Sequence, residues 1–387
     1  MKFHSLIGIA TFTFVSLLSC SRDNLTIDNQ LPAGNIIVEK ISNDTIYVHQ
    51  DLGDSQEDWF YWAFRVKGAE GKRLTFVFTK SAVIAQRGPV VSLDKGQTYG
   101  YLAEGNSSPF HFTYEFPNDA AEVWFYECHP YTPQMWYSFI NGPHSGKYET
   151  GVLCKSVKGR DVPYFKITPE NGTHELSVAV TCRHHSSEAP ASFITEGIVS
   201  AFIEDSPLGE WLRENIELNV LPFMDMDGTI DGEQGKTRIP HNHNRDYTEF
   251  IFPETKAFAE LMLKVQPDIY IDLHNPTHAD QHIYSPLAPN PGPMEKIFAE
   301  LLEKHQEGGL NYKASDDLPF GVDWNTNNNY SSGLSARYWV LLNIPGIKVA
   351  RTIETPFVYA NSAEVTPEKL RLFGHGIART FKAMVEE

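Results

Sequence analysis

The residues best suited to chemistry in this 387-residue chain stand in three short polar runs, each directly after an apolar stretch. The first is Arg183-His184-His185-Ser186-Ser187-Glu188. On a turn between a strand and a helix, the three-residue spacing of His185 and Glu188 lets an imidazole and a carboxylate converge on one cation. Such pairs also arise by chance on surfaces, so a further donor is needed to give the spacing meaning. Asp272-Leu273-His274-Asn275 supplies it: His274 completes a His-Glu-His set that holds zinc and leaves one coordination position for water, as a catalytic rather than a closed structural zinc does. Asp272 either orients that imidazole from behind or caps the turn. The third run, Thr352-Ile353-Glu354-Thr355-Pro356, ends an apolar strand on a carboxylate. Burying Glu354 without a partner is expensive, so a cation or a polar cleft is implied beside it.

These runs need a scaffold that brings distant strand ends together. Leu176 to Cys182 reads as a buried strand, followed from Ala191 to Glu204 by apolar residues at helical spacing. Further strands are expected from Ile216 to Pro222, Asp268 to Leu273 and Ile347 to Ile353, with a helix over Thr255 to Val265. Strands alternating with helices predict an α/β domain with a parallel or mixed sheet, whose ligands gather at the carboxyl ends of the strands. The patch Asn325 to Asn329 reads as a surface loop or lid. Ahead of this domain the texture differs. Thr45–Val48, Trp59–Phe64, Leu74–Phe78, Phe110–Tyr114 and Val123–Tyr126 are short aromatic and β-branched runs separated by turns, which predicts an antiparallel β-sandwich. Their aromatic rings suit either a packed core or a sugar-binding platform, and period-two placement favours the core.

The order H-x-x-E, Asn-Arg, histidine at a strand end and glutamate before a proline resembles the carboxypeptidase A-like zinc metallocarboxypeptidases, over about Tyr131 to Glu387. The β-sandwich in front resembles their cytosolic-carboxypeptidase subgroup. The resemblance implies a mixed, eight-stranded sheet flanked by helices, one Zn2+ held by His185, Glu188 and His274, and Glu354 as general base to a zinc-activated water in removing C-terminal residues from peptides. His184 rivals His185, but only His185 has the x-x spacing to Glu188. By the same resemblance Asn244 and Arg245 grip the substrate's terminal carboxylate, a task suited to a guanidinium fork. Arg238 stabilises the oxyanion, its alternative being a solvated loop charge, and Tyr330, with Tyr338 as rival, lies over the substrate. The chain departs from the family at His-Ser-Ser-Glu, at Asp225-Met226-Asp227-Gly228, and at His243 and Asp246 beside the Asn-Arg pair. These changes bear on the carboxylate pocket, where Asp246 would suit an amine.

Residues 1–19 read as a lipoprotein signal peptide: Lys2, an apolar run from Leu6 to Leu18, then Ser19 before Cys20, the expected site of a bacterial lipid anchor. Residues 20–33 then form a tether, 34–130 the β-sandwich and 131–387 the catalytic domain. This places the protein outside the cytoplasm, at the cell envelope, with membrane contact only through the anchor. After cleavage Cys128, Cys154 and Cys182 accompany Cys20, and a Cys128–Cys154 bridge is conceivable. With 49 acidic and 32 basic residues the formal charge is -17, which repels nucleic acid and leaves a peptide or small amide as the expected partner. Two other functions fit the sequence: an amidase, deacylase or esterase on cell-wall peptides or N-acyl substrates, and a surface lipoprotein that binds glycan or protein through its aromatic unit, its zinc domain inert.

Overall fold

A computed structural model of the protein describes residues 25–143, 146–278 and 281–387. The signal peptide and Cys20 lie outside the described residues. The N-terminal β unit has ten strands: β1 (Thr26–Asp28), β2 (Ile37–Ser42), β3 (Thr45–His49), β4 (Ala63–Lys67), β5 (Arg73–Phe78), β6 (Val90–Ser92), β7 (Gly100–Tyr101), β8 (Ser107–Ser108), β9 (His111–Glu115) and β10 (Glu122–Tyr126). They form two facing sheets, ordered β1-β4-β10-β6-β7 and β2-β3-β5-β9-β8. Phe64 and Phe125 from the first sheet meet Phe76 and Phe112 from the second, with ring centroids 4.9–5.6 Å apart for Phe76 against Phe64, Phe112 and Phe125. These aromatics are therefore core, as their alternation predicts.

Three expectations for this unit are corrected. Residues from Leu25 to Ala33 are part of this unit rather than a tether, because Leu25 and Ile27 are buried in its core and β1 pairs with β4. The sandwich is not purely antiparallel: β3 and β5 run parallel, since the intervening β4 crosses to the other sheet. Trp59–Trp62 is not strand; β4 starts only at Ala63, and the residues before it run out toward the second unit.

After α1 (Pro133–Ile140) come β11 (Glu149–Lys155), β12 (Asp161–Ile167), β13 (Leu176–Cys182), α2 (Ala189–Ile203), α3 (Pro207–Asn215), β14 (Ile216–Leu221), α4 (Met226–Asp231), α5 (Pro253–Val265), β15 (Ile269–His274), α6 (Pro293–His305), α7 (Ala336–Asn343), β16 (Val349–Glu354) and α8 (Pro367–Glu386). The sheet order is β11-β12-β14-β13-β15-β16, so among the described residues it has six strands where eight are expected. It is mixed: β11, β12 and β14 pair antiparallel, while β14, β13, β15 and β16 are parallel. Successive residues of a strand face opposite sides, and the packing follows. Val178, Val180, Ile269, Ile271 and Ile353 join the core under α2, α6 and α8; Ala179, Tyr270 and Ala350 join Phe258 of α5 and Val340 of α7 on the other face. Burial on both faces explains the near-continuous apolar run of β13, all seven residues of which are buried. Cys128, Cys154 and Cys182 are free thiols, so the conceivable bridge is not made.

Candidate metal centre and cleft

The parallel strands β13, β15 and β16 end at one edge of the sheet, and all three polar runs emerge there. β13 gives way to Arg183, whose φ of 62° breaks the strand and turns His184 and His185 across the edge. In the register of β15 and β16, His274 lies directly beside Glu354. Glu188 precedes α2 and is 1% exposed. Its two carboxylate oxygens face two rings: Oε1 lies 2.9 Å from His185 Nδ1, and Oε2 lies 2.8 Å from His274 Nδ1. Donor atoms from His185, Glu188 and His274 all fall within 4.8 Å of one another.

The far side of His274 is braced. Its Nε2 lies 2.9 Å from Asp272 Oδ2, which fixes the ring with Nδ1 toward Glu188. Asp272 also receives Thr181 Oγ1 at 2.7 Å, and its Oδ1 lies 2.8 Å from His184 Nδ1. His184 Nε2 in turn lies 2.6 Å from the Tyr247 hydroxyl. Both nitrogens of His184 are thus engaged behind the site, which leaves His185 as the ring that faces Glu188. A second donor group, His184, Asp272 and His274, is equally close, but it is a hydrogen-bonded relay sealed from solvent.

The electrostatics follow from burial and pairing. Burial pushes His185 down to about 3 against the pull of Glu188, so it is a neutral ring, the form that can ligate. Burial would raise Glu188, but Lys236, His185 and His274 hold it well below the usual carboxylate range. Burial likewise opposes charge on His274, yet Asp272 and Glu188 raise it well above an ordinary histidine. Carboxylates at both nitrogens of one imidazole mark a place that wants positive charge. Glu354, 8% exposed, is pushed up to about 7, chiefly by burial, with Glu188 and Asp272 adding to the rise and His274 and Lys236 opposing it. Two imidazole nitrogens and a carboxylate, converging and oriented from behind, are a donor set that fits zinc.

The set opens into a cleft of about 980 Å³ that His185, Glu188 and Glu354 line together with Asn244, Arg245 and Lys236. Asn244 is held by the amide of Ala336, which donates to its Oδ1 at 3.0 Å, and its Nδ2 lies 3.3 Å from His274 Nε2. Arg245 lines the cleft with its Nε donating to the Asn329 carbonyl at 3.0 Å. Tyr330 ends the short 3-10 turn Asn327–Tyr330, and its side chain lies outside the described residues. Tyr338 sits on α7 and is not among the cleft residues. Asn325, expected on a surface loop, is fully buried and donates to the carbonyls of Leu287 and Leu318.

The surroundings of two expected residues bear on their roles. Arg238 reaches the cleft wall, but its guanidinium is already engaged by three carboxylates: Asp54 at 2.9 Å, Asp225 at 2.7 Å and Glu233 at 2.5 Å. Its fork is thus directed at carboxylates in this structure. Asp246 cannot recruit an amine, because it is fully buried and accepts from the amides of Ile251 and Phe252 and from Thr255 Oγ1, with His241 Nε2 at 2.7 Å. The cation that does reach the centre is Lys236, whose Nζ lies 2.7 Å from Glu188 Oε1. Sequence reasoning passed over it for the arginine two residues on, although both stand in Gly235-Lys236-Thr237-Arg238. It also missed Trp59, which lines the cleft from the N-terminal unit.

Comparison with known proteins agrees with this geometry. Residues 135–243 match the family model described as Zinc carboxypeptidase. Cytosolic carboxypeptidase 2 of Xenopus tropicalis is 26% identical over 215 residues, which cover 50% of this chain and 22% of that protein, so the chain spans only a minor part of this relative's length. The crystal structure of a metallo-carboxypeptidase from Burkholderia cenocepacia superposes with a TM-score of 0.78 over 94% of this chain and 99% of that one, at 18% identity. A metallo-carboxypeptidase from Pseudomonas aeruginosa, in complex with (2-guanidinoethylmercapto)succinic acid, gives 0.77 over 93% and 99%, at 20% identity. Both matches extend through the N-terminal β unit. The segment that carries His185 and Glu188 therefore matches the zinc carboxypeptidase family model, and the chain has the fold of these bacterial metallo-carboxypeptidases.

Proposed function

We propose that this protein is a zinc-dependent carboxypeptidase that removes C-terminal residues from peptides. The observation that carries the reading is the convergence of His185, Glu188 and His274 on one point, with Glu354 beside them and Asn244 and Arg245 on the same cleft. Zinc held by those three side chains would supply Lewis acidity, acidifying water and polarising a carbonyl. Glu354 takes the proton of the attacking water and returns it to the leaving amine; its buried position suits a base whose affinity for a proton is raised. Lys236 turns its ammonium to the negative charge that develops on the carbonyl oxygen, giving up the long contacts of 3.4 and 3.2 Å that it makes with the carbonyls of Asn275 and Pro276. Arg245 and Asn244 receive the terminal carboxylate.

A C-terminal peptide library incubated with the purified protein, with and without chelator, tests this. Loss of single C-terminal residues that stops on chelation supports it. Equal cleavage of a peptide whose C-terminus has been methylated contradicts it and turns the reading to an amidase or esterase. We also propose export and lipid attachment at Cys20, on the strength of the first twenty residues of the sequence. Incorporation of radiolabelled palmitate that persists in Cys20→Ala would refute that attachment.

A further inference from the structure

The loop that delivers Lys236 is gripped by the N-terminal β unit. Gln234 is fully buried; it donates to the carbonyls of Tyr61 at 2.8 Å and Asp51 at 3.2 Å and accepts from the amide of Tyr61 at 2.9 Å. Ser55 Oγ donates to the Lys236 carbonyl at 2.6 Å, and the amide of Gln56 donates to the Thr237 carbonyl at 3.0 Å. Between these contacts Thr237 has a φ of 46°, a left-handed conformation that a β-branched residue adopts only where its surroundings over-determine it. Trp59 closes the grip twice. Its Nε1–H donates to Thr237 Oγ1 at 2.8 Å, and its ring faces Lys236 Nζ at 4.5 Å from the centroid.

We infer that Trp59 is a positioning residue for the Lys236 ammonium, so that the N-terminal β unit is a working part of the active site. The inference rests on the charge-bearing role of Lys236 given above. A lysine is a flexible four-carbon stem that needs external restraint to hold its charge at one point. Here the carboxylate of Glu188 pulls it from one side and the carbonyls of Asn275 and Pro276 accept from it. The negative face of the Trp59 indole adds a contact from the N-terminal unit.

The test compares wild type, Trp59→Ala, Trp59→Phe, Lys236→Ala and the Trp59→Ala/Lys236→Ala pair. For Trp59→Ala, kcat on the best library peptide should fall about three- to thirtyfold, the span of a cation–π contact, with KM nearly unchanged. Trp59→Phe, which keeps a ring but loses the hydrogen bond to Thr237, should fall between the two. The double variant should be no slower than Lys236→Ala alone, since both changes remove one interaction. In metal-free protein, acetylation of Lys236 followed by peptide mapping should quicken about three- to thirtyfold in Trp59→Ala. Unchanged kcat in Trp59→Ala, additive losses in the double variant, or an unchanged acetylation rate would each overturn the inference. If no peptide is turned over at all, the carboxypeptidase reading fails by itself, and the acetylation comparison still decides whether Trp59 holds Lys236.

Discussion

At the scale of single residues, the centre is a set of opposing demands on charge. Glu188 and Asp272 are ionised and buried on either side of His274, while Glu354, next to them on β16, is pushed toward neutrality by burial. A carboxyl group so placed is tuned for proton transfer rather than for ligation, because a ligating oxygen must stay ionised. Glu354→Gln keeps size and hydrogen bonding but cannot take a proton. Turnover should fall by about 10²–10⁴-fold while zinc content stays at the wild-type level. A variant that loses both turnover and metal would make Glu354 a ligand instead. His274 and Glu354 stood out in the sequence because each ends an apolar strand, where a polar group has no structural reason to be buried, and His185 and Glu188 because their three-residue spacing follows another such strand, β13. Lys236 and Trp59 were not, because what defines them is contact across the chain: a loop lysine and a tryptophan in an alternating run look ordinary until the fold brings them together at 4.5 Å.

At the scale of elements, three parallel strand ends set the geometry, and the loop through Gly235 seals it. Gly235 has a φ of 75°, and a Cβ there would stand 2.3 Å from the Ser186 amide nitrogen and 2.6 Å from Ser186 Oγ. The loop bearing Lys236 can therefore approach the turn bearing His185 only because this residue is glycine. Gly235→Ala should push the two apart, costing at least about 1–3 kcal/mol in stability and weakening zinc binding with it. Parallel denaturation and zinc titrations check both, and a stable variant with wild-type zinc affinity would show that the close approach is dispensable. The strands and helices of the second unit were readable from periodicity, since burial on two faces writes a continuous apolar run into β13. The parallel pairing of β3 with β5 was not, because period two reports which face a residue takes and not the direction of its neighbour.

At the scale of the whole molecule, the two units share one core and one cleft, so the boundary that composition suggests near residue 130 is a change of texture rather than a seam. Glu127, just beyond β10 at that boundary, is buried against the Cys128 thiol with no nitrogen or oxygen partner for its carboxylate, and burial, only partly opposed by that thiol, pushes it up to about 8 from an ordinary 4.5. The folded state thus holds a proton that the unfolded chain releases, and stability falls as pH rises from about 4.5 to about 8, levelling beyond. Glu127→Gln removes that slope. Its advantage over wild type should be small at pH 5 and grow to a few kcal/mol by pH 8.5, at about 1.4 kcal/mol per pH unit at the steepest. Denaturant midpoints at the two pH values check this, and an effect of equal size at both would contradict it.

Anomalous X-ray scattering at the zinc edge, from crystals of the zinc-loaded protein, bears most directly on the metal centre. A single peak about 2.0–2.2 Å from His185 Nδ1, His274 Nδ1 and a Glu188 oxygen is the result that this arrangement of side chains predicts. A peak among His184, Asp272 and His274 instead, or none near residue 188, would contradict it.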